Sequence, residues 1–195
     1  MVTIADRYRF MSRALTTGSE CHLREARYHH VMADTKTAKR RTLRFNSLDD
    51  LLADARRLQM VESQGRLTLT GNWTLGQIFG HLAAWMSYPY DGFPMGQAPW
   101  LVRLIVGMQT KKFLATGLPA GVRIPGSPDG TYGVERISTE EGMKRLETAV
   151  ARIKSGAAPT HPSPVFGRTS HEEVVQGNLR HAELHLSFAH EGEAR

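Results

Sequence analysis

The segment from Ser170 to His190 constrains the fold more than any other, because its apolar residues recur every three or four positions. This period predicts one amphipathic helix whose apolar side packs against a core. His181 and His185 lie four positions apart, so their side chains project only about 40° apart around the helix axis, on the predicted core side. The polar residues of the opposite side, which we expect to contact solvent, are Glu172, Gln176, Arg180 and Glu183.

Paired histidines one helical turn apart also occur in the H-E-x-x-H helix of zinc proteases, where a glutamate beside the first ligand acts as general base. In this chain Glu183 lies two residues from both His181 and His185. Its side chain therefore points about 200° around the helix from either histidine. Because this carboxylate cannot reach anything the histidines bind, we exclude a zinc protease of this type.

Charge is distributed unevenly along the 195 residues, whose net charge is +6. Residues 1–44 hold ten Lys and Arg against four Asp and Glu, whereas the rest of the chain holds 15 of each kind. The excess positive charge therefore belongs to the first 44 residues and not to the folded domain. For this reason we do not favour nucleic acid as a partner of the domain. We predict a disordered head at residues 1–42, a helical domain at 43–190 and a tail at 191–195.

The expected compartment follows from features that the sequence lacks. Cys21 is the only cysteine, so no internal disulfide can form and a reducing compartment is expected. The first residues contain no apolar signal-peptide core, and no apolar run approaches the roughly 20 residues that span a bilayer. We therefore expect a soluble cytoplasmic protein without a membrane partner.

Four further segments show helical periodicity, and three of them begin, as the segment at Ser170 does, with a Ser or Thr that has a suitable capping partner three residues later. The predicted helices are Ser47–Glu62, Thr74–Ser87, Trp100–Leu114 and Ser138–Gly156. Together with the last helix they predict an all-α fold, an antiparallel four-helix bundle with Trp100–Leu114 as an accessory helix. A crossover loop rich in Pro and Gly, Leu118 to Ile137, joins helices two and three of the bundle and is long enough to cover a site.

The accessory helix carries a stripe formed by Leu101, Leu104, Ile105 and Met108. We expect this stripe to pack over the bundle. Binding to a membrane surface is the alternative, but the segment lacks the strongly cationic face that such helices have.

A third histidine, His81, lies on the flank of the apolar side of the second helix, between Ile78 and Trp85. A lone histidine there is most simply a hydrogen-bonded core residue. Metal sites in helical bundles, however, are built from side chains on facing helices, and three imidazoles suit Zn, Ni, Fe or Co. Three protein ligands also leave one position open for water or substrate. We therefore predict a divalent metal, with Zn, Ni or Fe preferred, held by His81, His181 and His185, and keep three structural core histidines as the alternative.

Asn178 lies one turn before His181 on the same side of the helix. A polar residue in a buried stripe needs a hydrogen-bond partner, so Asn178 is either a support for a ligand or a weak fourth ligand. The outside candidates for the site are His161, His171 and Asp91.

The sequence also resembles the DinB/YfiT-like metalloenzyme superfamily, and more closely one of its uncharacterised bacterial families. The matching motifs are G-N-W-T-L-G-Q-I-F-G-H-L, R-H-A-E-L-H, R-R-T-L-R-F-N-S-L-D-D-L-L-A-D-A, Y-P-Y-D-G-F-P and H-P-S-P-V-F-G, all between Arg40 and His190. The resemblance implies a bundle that holds a divalent metal through histidines matching His81, His181 and His185. Relatives in that superfamily include transferases and isomerases that use low-molecular-weight thiols such as mycothiol or bacillithiol.

Two classes of function follow from the residues and the resemblance. The first is a metal-dependent enzyme, a thiol-dependent transferase or a hydrolase, acting on an unknown small molecule. The alternative is a non-catalytic helical bundle that serves as an interaction or stress-response protein. A homodimer is compatible with either class.

Overall fold

The computed structural model describes residues 33–124, 126–127 and 130–192. The chain divides into Met1–Val31, which lies outside the described residues, and a unit that begins at Met32. The described part contains five α-helices and two short strands: α1 (Leu48–Ser63), β1 (Leu67–Leu69), α2 (Leu75–Asp91), α3 (Trp100–Thr116), α4 (Thr139–Lys154), α5 (His171–Leu186) and β2 (Ala189–Glu191). The predicted head falls mostly outside this part, so its disorder and its boundary at residue 42 stay predictions.

The fold is mostly helical, in agreement with the predicted class. Four helices contribute to one hydrophobic core, in which α2 packs against α4 and α5, and α1 packs against the same two helices. Residues without any exposed surface come from each of the four: Leu51, Phe79, Leu146 and Leu179. Burial of these side chains removes apolar surface from water and is the main force that holds the helices together.

Predicted capping boxes begin three of the helices. The reciprocal pairs are Ser47 with Asp50, Thr74 with Gln77, and Ser170 with Glu173. At the start of α4, the Ser138 hydroxyl accepts a hydrogen bond from the Glu141 amide as predicted, but the Glu141 carboxylate accepts one from Arg145 Nε at 2.7 Å. These contacts are local along the chain, which is why the sequence pattern located each of these starts.

The end of the last helix differs from the prediction. α5 ends at Leu186 rather than at His190, and Ala189–Glu191 forms β2, which pairs antiparallel with β1. In this ladder Leu69 is the partner of Ala189, and Leu67 is the partner of Glu191. A strand of three residues is too short to show a period in the sequence, and its partner lies more than 100 residues away, so neither strand was predicted.

The polar side of α5 is also not where we expected it. Arg180 and Glu183 are buried, with exposed fractions of 2% and 8%, so the expectation that both contact solvent is wrong. The chain segment before α1 covers this side of the helix. Arg41, for example, donates its backbone N–H to the Ser187 carbonyl at 2.8 Å and its guanidinium to the Leu186 carbonyl at 3.0 Å.

The accessory helix α3 contacts α5, but none of its residues is buried. Trp100 and Met108 are 74% and 72% exposed, and Leu104 is 53% exposed. The expectation that this stripe packs over the bundle is therefore wrong, because the helix uses a different side for its contact. Within the described residues, no helix has the length and the apolar character needed to cross a membrane.

Candidate metal centre

Three histidines from two helices meet at one point in the domain. His81 lies on α2, and His181 and His185 lie on α5, so α2–α5 packing brings together residues 100 positions apart. The Nε2 atom of His181 lies 3.2 Å from Nε2 of His81 and 3.0 Å from Nε2 of His185. The structure thus brings together all three residues that the sequence proposed for one site.

These separations match those of ligands around a single ion. In a tetrahedral zinc site with Zn–N bonds of about 2.0–2.1 Å, neighbouring ligand atoms lie about 3.3 Å apart. One ligand atom from each of the three histidines lies within 4.8 Å of the others, so one ion can contact all three after small side-chain adjustments. The geometry is therefore compatible with a metal site.

Hydrogen bonding among the rings does not explain the same arrangement equally well. Nδ1 of His81 lies 3.0 Å from the carbonyl oxygen of Tyr132, which only accepts, so Nδ1 carries the proton and Nε2 of this neutral ring is an acceptor. If Nε2 of a neutral His181 carries the ring proton, it can donate a hydrogen bond to Nε2 of His81. Because the same nitrogen has no lone pair left, it cannot also accept a hydrogen bond from His185. A shared cation uses the Nε2 lone pairs of all three rings.

Burial also keeps the three rings in the neutral form that a metal requires. Loss of solvent lowers the pKa of His181 from 6.5 to about 4. For His81 and His185, burial and then the neighbouring imidazoles hold the pKa well below its ordinary value. Three imidazolium ions this close would repel one another, whereas three neutral rings present lone pairs to a common centre.

Aromatic side chains form the surroundings of the cluster. The Trp73 ring stacks on His185 with centroids 5.0 Å apart and an interplanar angle of 15°, and the Trp85 ring contacts His181 edge-on at 5.5 Å. The Trp85 indole N–H donates to the Tyr132 carbonyl at 3.2 Å, so this oxygen accepts hydrogen bonds from both Trp85 and His81. His81 is 1% exposed, and His181 and His185 are residues of intermediate burial.

A family model for a protein of unknown function (DUF1569) matches residues 37–192, a range that contains the whole histidine cluster. The chain belongs to this family. No curated protein and no solved structure matches it. The match confirms the expected relationship to an uncharacterised domain family.

The other residues of this DUF1569 domain that the sequence suggested for the metal site lie outside the cluster or have other hydrogen-bond partners. Asn178 is buried and donates its amide to the Val174 carbonyl of its own helix at 2.9 Å, which satisfies it without a histidine. His161 contacts Thr160, and Asp91 binds Arg152 at 2.6 Å. The remaining outside candidate, His171, lies 3.4 Å from the Ala157 carbonyl.

Sequence reasoning missed the roles of Trp73, Trp85 and Tyr132. Trp73 lies directly before the N-cap of α2, and its place inside the motif G-N-W-T-L-G-Q-I-F-G-H-L was the only signal available. Tyr132 acts through its backbone carbonyl, which leaves no trace in the side-chain pattern. The loop that contains Tyr132 forms no strand in its described residues.

Proposed function

We propose that this domain is a divalent-metal-dependent enzyme of the DinB-like type, a four-helix bundle whose metal is held by Nε2 of His81, His181 and His185. The observation that carries the proposal is the convergence of these atoms, 3.0 and 3.2 Å apart, from two helices far apart in sequence. Zn, Ni and Fe are the ions that a three-imidazole set suits.

The residues around the cluster have defined tasks in this proposal. The Tyr132 carbonyl keeps the proton of His81 on Nδ1 and so directs the Nε2 lone pair toward the common centre. Trp73 and Trp85 fix the orientation of the rings on α5 by stacking and edge contacts. Three protein ligands would leave one coordination position of the metal open, and the metal would lower the pKa of a water or thiol bound in that position.

The make-up of the cluster favours thiol chemistry over hydrolysis. Among the described residues, the group contains three histidines and no carboxylate. A hydrolase commonly needs a general base to accept the proton of the attacking water, and the nearest acid in sequence, Glu183, is engaged with Phe45. A divalent metal held by the three histidines would lower the pKa of a bound thiol far enough for its proton to pass to solvent, so thiol activation would need no such base. We therefore infer a thiol-dependent transferase with a low-molecular-weight thiol as its co-substrate.

Metal analysis of the untagged protein tests this proposal. After incubation with Zn or Ni and removal of excess ion, we expect about one equivalent per chain by elemental mass spectrometry, the loading expected of a single three-histidine site. His81→Ala, His181→Ala and His185→Ala should each lose most of the metal. His161→Ala, which removes a histidine outside the cluster, is the matched control.

Two results would contradict the metal site: less than about a tenth of an equivalent in the native chain, or equal loading in the cluster variants and the control. If metal binds as expected, enzyme assays with candidate thiols and electrophilic substrates then test the reaction. Unchanged turnover in the metal-free protein would contradict the role of the metal in that reaction.

A further inference from the structure

The outward side of α3 is apolar and exposed. We call this surface the α3 outer face and define it by Trp100, Leu101, Leu104, Ile105 and Met108, which are between 47% and 74% exposed. At about 100° per residue these positions cover one side of the helix. Large apolar side chains are seldom clustered in this way on a surface that only water contacts.

The contact of α3 with the rest of the domain uses the other side of the helix. Val106, Phe113 and Leu114 are half-buried there, and Leu114 Cδ2 lies 4.0 Å from the position that a Cβ atom would take at Gly177 of α5. The helix is therefore apolar on two opposite sides, and the described residues cover only one of them. A helix with apolar residues all around normally has partners on both sides.

The size of the α3 outer face fits a protein interface. From the exposed fractions of its residues it offers on the order of 600 Å², so two copies could bury up to roughly 1,200 Å², the lower end of the range for specific interfaces. A membrane surface fits less well. The only cations on the outward side, Lys111 and Lys112, lie in the last turns of α3, so most of the face has no charge to bind anionic lipid.

We propose that the α3 outer face binds the same face of a second copy of this chain, with the two α3 helices antiparallel around a two-fold axis that crosses this face at the level of residue 106. This axis places Leu104 opposite Met108 of the second copy, and Trp100 beside Lys111 of the second copy, which is on the same edge of the face. The apolar residues then fill the middle of the interface, and a cation–π contact between lysine and indole closes each end.

Charge decides in favour of the antiparallel arrangement. α3 carries Arg103, Lys111 and Lys112 and has no acidic residue, so parallel helices would place four lysines side by side. In the antiparallel pair the lysines of the two copies lie at opposite ends of the interface. About 11 residues at 1.5 Å each separate them by roughly 16 Å, beyond the Debye length of about 8 Å at physiological salt.

The solution mass of the full chain tests the proposal. Light scattering after gel filtration should give twice the chain mass of 21.8 kDa. Met108→Glu places a charge in the middle of the interface of both copies and should weaken association about a hundredfold or more. Met60→Glu is the matched control, because Met60 is an exposed methionine of α1, 55% exposed and outside the α3 outer face. Circular dichroism should show both variants folded.

Cross-linking tests the orientation in a Cys21→Ser background. A mixture of Leu104→Cys and Met108→Cys chains should form inter-copy disulfides faster than either chain alone, because only unlike positions are opposite each other. A native chain that stays monomeric, a dimer that persists in Met108→Glu, or faster cross-linking of like positions would each overturn the proposal. So would binding of the native monomer to phosphatidylglycerol vesicles that Met108→Glu abolishes. None of these results depends on the metal site.

Discussion

Arg180 and Glu183 form an ion pair inside the domain, with 2.8 Å between Nη2 of the guanidinium and Oε1 of the carboxylate. Both side chains also bind the backbone of Phe45. Its N–H donates to the Glu183 carboxylate at 2.6 Å, and its carbonyl accepts from Arg180 at 2.6 Å. The pair thereby attaches the chain before α1 to the back of the helix that carries two of the three clustered histidines.

Removing one partner of this pair should destabilise the protein strongly. We expect Arg180→Met to lower the free energy of unfolding by up to about 3–5 kcal/mol, because it leaves the buried Glu183 carboxylate with only the exposed Arg44, 3.9 Å away, as a cation. Urea unfolding at pH 7 measures this loss. Combining Arg180→Met with Glu183→Leu should recover a large part of it, since no unpaired charge then remains.

An exposed ion pair provides the control for this experiment. Arg56 binds Glu147 at 2.8 Å with both side chains well exposed, so Arg56→Met should cost less than about 1 kcal/mol. Equal losses for Arg56→Met and Arg180→Met would show that burial of the Arg180–Glu183 pair has no energetic consequence.

The close contact between α2 and α4 requires glycine. A Cβ atom at Gly142 would lie 2.7 Å from the Gly76 carbonyl oxygen and 3.0 Å from Phe79 Cβ. We expect Gly142→Ala to lower the free energy of unfolding by about 1–3 kcal/mol, because the helices must move apart. In contrast, a Cβ at Gly107 of α3 meets nothing within 4 Å, so Gly107→Ala should stabilise by up to about 1 kcal/mol through helix propensity. Thermal unfolding should show opposite shifts; a stabilised Gly142→Ala would contradict the close packing.

The stability of the metal-free protein should fall as pH falls below about 6.5. Burial lowers the pKa of His181 in the folded chain to about 4, so the unfolded chain takes up a proton first, and protonation favours unfolding between these values. From this residue alone we expect a loss of about 2 kcal/mol between pH 7 and pH 5. Urea unfolding in the presence of a chelator measures it. His181→Phe should reduce this loss of stability. If the stability of His181→Phe depends on pH as that of the native chain does, the loss does not come from His181.

Tryptophan fluorescence should report on occupation of the cluster. The ring centroids of Trp73 and His185 are 5.0 Å apart, so a quenching ion such as Ni²⁺ or Cu²⁺ bound by the histidines lies close to this indole. We expect titration with Ni²⁺ to quench part of the emission. Trp73→Phe should remove much of this decrease in emission. Trp100→Phe, which alters an exposed indole of α3, should leave the absolute size of the decrease unchanged. The reverse result would place the ion elsewhere.

Helix positions and the placement of His181 and His185 on one side of their helix were predictable because they depend on contacts and spacing within a few residues. The capping pairs of α1, α2 and α5 lie three positions apart, and the apolar period placed His181 and His185 on the inner side of their helix. The same period failed for α3, which has apolar residues on two sides and therefore does not indicate which side packs. The cytoplasmic location and the domain boundaries stay predictions.

The sequence by itself determined where the helices begin, that the chain is mostly helical and which three imidazoles face inward, because local hydrogen bonds and side-chain period govern these features. Only the tertiary structure decided that α2 brings His81 within 3.2 Å of His181, that the Tyr132 carbonyl sets the proton position of His81, and that Phe45 covers Arg180 and Glu183. These contacts join residues 51 to 138 positions apart. Their formation depends on how the whole chain packs, which no local pattern records.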